Sequence, residues 1–509
     1  MMFKPSSTLF FIIILILSMV LFLQITGIQV QVGHLPPNEV DALQEIAKQL
    51  GKEDWDFSLN PCDGNASWRT PLSKNQSSQI FNNVVNCTCS LDDACHVVNI
   101  SLKGQDLAGV LPPSLAKLPS IKMIDLSYNY LSGPIPHEWQ STELEFISLT
   151  GNRLSGSIPI FLGNMTTLTY LCLENNMLSG NVPAELGKLN KLNLLVLTAN
   201  NLTGELPMEL NNLTNLTELR LDSNYFSGRI PNLGSLTQLQ KLEIRGSGLE
   251  GPIPESISLL TNLSRLAISD LNGEGSQVFP NLSSMTKMNK LMLRGCRLTG
   301  SIPGYISQMS KLQYLDLSFN DLGGDIPDLS GLNNLEKMYL TGNSLNGNVP
   351  SWLTNQINNY RQVDLSYNHL NETTVPKECI EPLNLFRSYT SSEDSDLGKC
   401  LNRFPCLKDY YSVHINCGGQ RVTIGDKVYE ADNDLSGAAR FLPSNDHWGI
   451  SNTGSVWNTN ESVNDYLATN VSILNMNDSQ LYTTARRSPL SVTYYGRCLV
   501  NGNYSVTLH

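Results

Sequence analysis

The sequence predicts an α/β solenoid of about 12 coils followed by a partial all-β sandwich. Three observations carry this expectation. From about Val97 to Leu370 the frame L-x-x-L-x-L-x-x-N-x-L returns every 23–25 residues. Cysteines gather immediately before and after that run. From Tyr410 onward the period disappears and alternating, aromatic, glycine-punctuated runs replace it. A fixed period of this length means stacked coils, each contacting its neighbours and exposing one long face.

The asparagine of the frame falls at Gln105, Asn129, Asn152, Asn176, Asn200, Asn224, Ser247, Leu271, Cys296, Asn320, Asn343 and Asn368. Alternate strand residues face opposite sides, so the frame leucines point inward and form an apolar column shared between coils. After the strand the backbone turns and leaves polar groups inside. An amide side chain, with donors and an acceptor, satisfies them. Cys296 is a tolerated substitute, whereas Ser247 and Leu271 predict an interrupted ladder. Most copies continue into G-x-I-P, where proline cannot donate to a ladder and glycine permits a tight path. "IDLSYNYLSGPIP" at Ile124–Pro136 and "LDLSFNDLGGDIP" at Leu315–Pro327 are two such copies. The copy at Leu271 reads "LNGEGSQVFPNLSS" and lacks it, which predicts a local irregularity.

The pattern resembles the plant-type leucine-rich repeat. That resemblance implies a second short strand on the flank of each coil and a twisted superhelix.

The rest of the chain bounds its compartment. "MMFKPSSTLFFIIILILSMVLFLQ" reads as a secretory signal peptide over residues 1–30, with an uncleaved signal anchor as the alternative. Fifteen N-x-S/T sequons begin at Asn65, Asn75, Asn86, Asn99, Asn164, Asn201, Asn212, Asn215, Asn262, Asn281, Asn371, Asn460, Asn470, Asn477 and Asn503. Only Asn99 falls on an outward strand position, so glycans are expected on the flanks. Eleven cysteines suit an oxidising compartment. Cys62, Cys87, Cys89 and Cys95 are expected to form two disulfides of undetermined pairing. Cys379, Cys400 and Cys406 form a second cluster with one thiol left over, Cys417 is expected to pair with Cys498, and Cys172 and Cys296 to stay reduced. Net charge is −12 without long charge runs, which disfavours nucleic acid as a partner. No cofactor or metal is expected, because the histidine and cysteine spacings match no zinc pattern.

Residues 39–96 read as an N-terminal cysteine-containing cap. "EVDALQEIAKQLG" has helical periodicity with Val40, Leu43, Ile46, Ala47 and Leu50 on one face, and "NPC" and Trp68 follow. Residues 97–372 hold the repeats, 373–410 a cysteine-containing linker, and 411–509 the sandwich segment. Its "INCGG", "YEAD" and "CLVNGNYSVTLH" resemble the malectin domain, a carbohydrate-binding fold. From cap to end the chain resembles the extracellular part of a plant leucine-rich-repeat receptor-like serine/threonine kinase of the malectin-containing subfamily. The malectin-like part has about half the family domain's length, so the chain reads as truncated within it. The resemblance implies a peptide or protein ligand, a co-receptor ectodomain or a carbohydrate as partner. It also implies a location at the extracellular face of the plasma membrane, or secretion if truncated. The alternative is a secreted repeat protein, such as an inhibitor of wall-degrading enzymes.

Catalysis is not expected. There is no G-x-S-x-G, no H-E-x-x-H and no kinase V-A-I-K, H-R-D or D-F-G. Asp125, Asp316 and Asp364 recur at one strand position, as a repeat feature. The candidate binding surface is the set of outward strand positions Glu218, Arg220, Asp222, Lys241, Glu243, Arg245, Arg265, Lys290 and Arg294, six basic and three acidic. Strands about 4.8 Å apart make these a contiguous strip on which arginines grip a carboxylate. A mutually paired, solvated charge face is the competing reading. Phe146, Tyr170, Tyr314 and Tyr339 are expected to project beside the strip as aromatic anchors. Changing Arg220, Arg245 and Arg294 to alanine is expected to cost binding and little stability. In the malectin-like segment Tyr429, Tyr482, Tyr494 and Tyr495 are candidates to stack on sugar, with sandwich core as the competing use.

Overall fold

The computed structural model describes residues 33–69, 81–90, 94–355, 362–371, 383–385, 406–433, 440–444, 447–453, 467–469, 479–487 and 491–507. The expected signal segment, Cys379, Cys400 and the sequons at Asn75, Asn460, Asn470 and Asn477 lie outside the described residues. No helix among the described residues is long and apolar enough to cross a membrane. The chain divides into two compact units, Met1–Ser155 and Gly156–His509.

In the first unit, helix α1 (Pro37–Leu50) ends at Gly51, whose φ of 75° places it in the left-handed region. The helix buries Ala42, Leu43, Ile46, Ala47 and Leu50, while Val40 is only half-buried. Glu39 is buried as well, an outcome the apolar pattern did not signal. Its carboxylate accepts from the Val97 amide at 3.0 Å and pairs with the His96 ring. The amides of Gly109 and Val110 donate to the last helical carbonyls, Leu50 O and Gln49 O, at 3.2 and 2.9 Å. A Cβ on Gly109 would lie 2.0 Å from Gln49 O, so only glycine admits this approach. Trp55 and Trp68 pack with centroids 4.7 Å apart, and Phe57 meets Trp68 edge-on. Disulfides Cys62–Cys87 and Cys89–Cys95 resolve the pairing left open by the sequence. Strand Val84–Cys89 runs antiparallel to Cys95–Ser101, after which Met123–Asp125 and Phe146–Ser148 follow in parallel.

The second unit has its own parallel pattern, one strand per coil, from Tyr170–Cys172 to Gln362–Asp364 and Leu383–Asn384. The frame leucines, including Leu195, Leu219, Leu242, Leu266, Leu291 and Leu315, are fully buried. The ladder asparagine works as its chemistry requires. Asn320 donates to Leu293 O at 2.7 Å and Leu317 O at 2.9 Å, and accepts from the amides of Cys296 at 2.9 Å and Leu298 at 3.1 Å. Asn129 makes the equivalent set in the first unit. The residue before the asparagine is left-handed, with φ between 52° and 61° at Tyr128, Asn175, Ala199, Ser223, Phe319 and Tyr367. That conformation costs a non-glycine residue on the order of 1 kcal/mol or more, and the amide bonds it permits offset the cost.

The weak ladder positions behave as expected. The Ser247 hydroxyl accepts a long bond from the Leu249 amide, at 3.4 Å. The Cys296 thiol donates to Ile268 O at 3.5 Å. Near Leu271 the side chain of Gln277 takes over, accepting from Ile253 N at 2.6 Å and donating to Cys296 O at 2.7 Å. The implied flank strands are present, and in this unit they break at the same place. Met177–Gly180, Asn201–Gly204 and Tyr225–Phe226 form one ladder, and Gln277–Val278, Leu298–Ser301, Asp321–Asp325 and Ser344–Asn346 another. Single bridges from Arg229 to Glu250 and Glu250 to Asn272 span the gap.

The C-terminal segment is made of short strands, as its alternation predicts. Ile415–Cys417 and Val422–Ile424 flank Lys427–Asp432, and Arg440–Ser444, Trp448–Thr453 and Ser491–Gly496 form an antiparallel set. The expected Cys417–Cys498 bridge is not formed. Cys498 pairs with Cys406, because backbone bonds from Tyr410 N to Cys498 O and Val500 N to Tyr410 O bring those stretches together. Cys417 is an exposed thiol opposite Asp432 in its sheet. Cys172 and Cys296 are reduced and buried, as expected. Burial also raises the Cys296 thiol pKa well above its usual range.

Asn320→Ala leaves two buried carbonyls and two buried amides without this partner. At about 1–3 kcal/mol for each group left unsatisfied, with partial relaxation, the variant is expected to lose at least ~2 kcal/mol in urea denaturation. Ser247→Ala is expected to lose less than half of that.

Candidate functional site

The strip expected from the sequence forms on the outward side of the parallel sheet in the second unit. Strand register sorts it into columns. The first runs Glu218, Lys241, Arg265, Lys290, Tyr314, Lys337, Gln362. The second runs Arg220, Glu243, Ala267, Met292, Asp316, Tyr339, Asp364. Arg245, Ser269 and Arg294 align in a third.

The charges are layered rather than uniformly exposed. The side chains of Asp222 and Glu243 are only 2% and 1% exposed, which corrects the expectation that both project freely. The guanidiniums lie over them. Glu243 meets three arginines: Arg220 Nε at 3.3 Å, Arg245 Nη2 at 3.1 Å and Arg265 Nε at 2.5 Å. Of these, Arg245 Nη2 makes an aligned hydrogen bond to Glu243. Asp222 accepts from the Arg245 amide at 2.8 Å, from Nε at 3.1 Å and from Nη2 at 3.3 Å. Arg220 reaches back to Glu174 at 3.0 Å, Lys241 pairs with Glu218 at 2.9 Å, and Arg294 with Asp270 at 3.1 Å. The competing reading of a mutually paired face therefore describes most of the strip's internal contacts.

Burial raises the Asp222 carboxyl pKa, and Arg245 only partly counters it. Burial also lowers Arg265, with Glu243 opposing and the charges of Arg245 and Arg220 adding to the fall. Lys290 is lowered by burial and then by Arg265. Lys337, beside Tyr314 in the first column, is pushed down by burial to about 8.

Beyond Arg294 the outward face closes. Tyr314, Asp316, Tyr339, Thr341, Asp364, Ser366 and Asn384 are buried. The tyrosines expected to project are core residues here: Tyr314 and Tyr339 pack ring to ring at 5.5 Å, and their hydroxyls donate to Asp316 and to Gln362 Oε1 at 3.3 and 3.0 Å. Phe146 and Tyr170 are half-buried. Asp125, Asp316 and Asp364 share one use, each accepting at 3.0 Å from the amide of the serine two residues on. Burial raises the last two. This is turn capping, in keeping with their reading as a repeat feature.

The stacking tyrosines of the C-terminal segment divide. Tyr429 is buried. The Tyr494 hydroxyl donates to Asp432 at 2.6 Å, and burial beside that carboxylate drives its pKa far up. Asp432 also holds Arg486 through Nε at 2.7 Å and Nη2 at 2.6 Å. Both tyrosines therefore serve the core, and Tyr482 and Tyr495 are half-buried.

Sequence reasoning missed Glu174, Asp270 and Lys337. Glu174 and Lys337 occupy outward positions of the same frame and were legible by the rule that found the others. Asp270 occupies the left-handed position before Leu271, with φ of 57°, and only the structure aims it at Arg294.

A capped parallel sheet with paired flank strands and a disulfide-tied β-segment defines a leucine-rich-repeat protein with an appended β-domain. Family comparison agrees: the leucine-rich repeat region matches residues 100–446, and the malectin domain matches residues 411–509. A probable leucine-rich-repeat receptor-like serine/threonine-protein kinase of Arabidopsis thaliana is 49% identical over 489 residues, 92% of this chain and 48% of the relative. A second from the same plant is 45% identical over 491 residues, 93% of this chain and 47% of the relative. Among solved structures, the Arabidopsis receptor kinase HAESA in complex with the peptide hormone IDA and the co-receptor SERK1 superposes with a TM-score of 0.55. Its identity is 29%, over 66% of this chain and 54% of that one. The PEPR1–AtPEP1 structure gives 0.52 at 25% identity over 70% and 52%. The chain belongs to the plant leucine-rich-repeat receptor-like kinase family, in the branch that carries a malectin domain. It spans about half the length of the curated relatives it matches, and the matched half comprises repeats and malectin domain rather than kinase.

Two outcomes test this geometry. Arg245→Ala strips the paired guanidinium from Asp222 and one of three from Glu243, so the expectation of little stability loss on removing Arg220 and Arg245 is revised. Breaking a fully buried pair costs ~3–5 kcal/mol. Arg245 keeps some solvent, so a loss on the order of 2 kcal/mol is expected in urea denaturation, partly recovered by adding Asp222→Asn. The second outcome is a pH dependence. Lys337 has a folded pKa of about 8 against 10.5 unfolded. The unfolded chain therefore binds more protons between those values, and the lysine's contribution to stability rises with pH across that window. Lys337→Met is expected to raise Tm at pH 7, with the advantage shrinking from pH 8 toward 10.5 in a calorimetric series.

Proposed function

We propose that this chain is the extracellular ligand-recognition region of a plant cell-surface receptor kinase, and that the outward face from Glu218 to Arg294 contacts a peptide or protein ligand. One observation carries the reading: guanidiniums lie uppermost over buried carboxylates in the central strands, a layered arrangement that holds cationic, planar donors at the surface in fixed positions. Side chains already fixed by ion pairs lose less entropy on meeting a ligand. The HAESA and PEPR1 likenesses support a peptide or protein partner, and the relatives' names support serine/threonine phosphorylation as the output of a longer product. Secretion and attachment at the plasma membrane follow from the same reading, as do the domain limits 39–96, 97–372, 373–410 and 411–509.

The test uses the secreted chain immobilised against a library of extracellular plant peptides. Binders are expected to lose at least tenfold in affinity to Lys241→Ala/Lys290→Ala/Arg294→Ala, which uncovers no buried carboxylate, and to keep their affinity for Lys188→Ala/Lys311→Ala outside the strip. Equal affinity for both triple and double variants overturns the assignment of the strip.

A further inference from the structure

The charges of the strip are unevenly placed along it. Between Glu174 and Arg245 carboxylates and cations alternate. The next two strands, Arg265–Ser269 and Lys290–Arg294, carry three cations and no carboxylate of their own; Glu243 reaches Arg265 from the strand before, and Asp270 pairs with Arg294. Their middle outward positions are Ala267 and Met292, which offer no polar group. Arg245 flanks the same place from the strand before. Four cationic side chains thus surround a small apolar floor. On the other side the column continues into Tyr314 and the closed face.

Two further observations sharpen this. The Nε of Arg294 is buried and has no hydrogen-bond partner among the described residues, although its Nη2 holds Asp270. An orphaned buried donor is costly, and a site that leaves one is short of an acceptor. Beside burial, Arg265 lowers the proton affinity of Lys290, and Arg245 and Arg220 lower that of Arg265, as crowded cations do.

We propose that the floor at Ala267 and Met292, ringed by Arg245, Arg265, Lys290 and Arg294, is a subsite for one anionic side chain of a polypeptide ligand. The chemistry it takes is a carboxylate, sulfate or phosphate oxygen group, received by guanidinium and ammonium donors. The assignment rests on the strip being the contact surface. A polypeptide fits better than a polyanionic sugar because the excess of cations is confined to these neighbouring strands. A polyuronate needs like charges along its length, whereas Glu218, Asp222 and Glu243 punctuate the strip on one side and Tyr314 interrupts the column on the other.

The experiment measures fluorescence polarisation of a rhodamine-labelled, C-terminally amidated peptide Ser-Glu-Asp-Glu-Ser against the full secreted chain at low salt. A Ser-Gln-Asn-Gln-Ser control and a sulfotyrosine-bearing peptide are run beside it, and a galacturonate oligosaccharide serves as competitor. Lys290→Gln/Arg294→Gln removes two subsite cations and leaves only the half-exposed Asp270 to water, so the fold is retained. The acidic or sulfated peptide is expected to bind at least fivefold more tightly than the glutamine control, and this preference to vanish in the double variant; which of the two binds identifies the anion. Peptides binding regardless of charge, with affinity still lost in the strip triple variant, overturn the subsite and leave the strip standing. Peptide binding that no strip substitution changes overturns both. Preferential binding of the oligosaccharide, lost in the double variant, overturns the polypeptide assignment.

Discussion

Most coils of this protein depend on one amide side chain that satisfies the backbone where the strand turns. The asparagine donates to carbonyls of its own coil and the one before, and accepts from two amides of that preceding coil. A lone coil cannot bury its leucines, and a stacked coil that left four backbone groups unsatisfied would lose what burial supplies. The ladder removes that conflict and holds the strand direction from coil to coil. That regularity gives the columns of the outward face their alignment, so the charged strip is a consequence of the ladder beneath it.

Where the ladder weakens, the flank weakens too. Ser247 and Leu271 cannot repeat the four bonds, and over those coils the flank strands give way to single bridges while Gln277 supplies a replacement amide from another part of the loop. The inner sheet nevertheless keeps register, with full pairing of Lys241–Arg245, Arg265–Ser269 and Lys290–Arg294. The cationic cluster sits on these strands. The leucine column evidently suffices to hold them parallel when part of the polar ladder is missing.

The outward face has two electrostatic regimes. In its middle, buried carboxylates are covered by arginines that keep part of their surface in solvent, an arrangement that holds the guanidiniums in place because removing one leaves a charge inside. Toward the end of the run the same strand positions hold hydroxyls, tyrosines and turn-capping aspartates, all buried. Exposed charge on this face is thereby concentrated before Tyr314.

Periodicity alone determined the solenoid, the inward leucines, the ladder asparagines, the place where the ladder fails and the identity of the outward positions, because each follows from strand alternation and a constant coil length. The same frame reaches Glu174 and Lys337, so missing them was an incomplete application of a sufficient rule. The depth at which each outward residue lies was beyond it: Asp222 and Lys241 occupy formally similar positions, yet one is buried and the other is not, because neighbouring long side chains cover the first. Tyr314 and Tyr339 turned inward for the same reason. Cystine pairing in the C-terminal segment also needed the fold, since the Tyr410–Cys498 backbone bonds, and not spacing, bring Cys406 to Cys498. Sequence periodicity specifies direction, and only packing in three dimensions decides which groups remain in water.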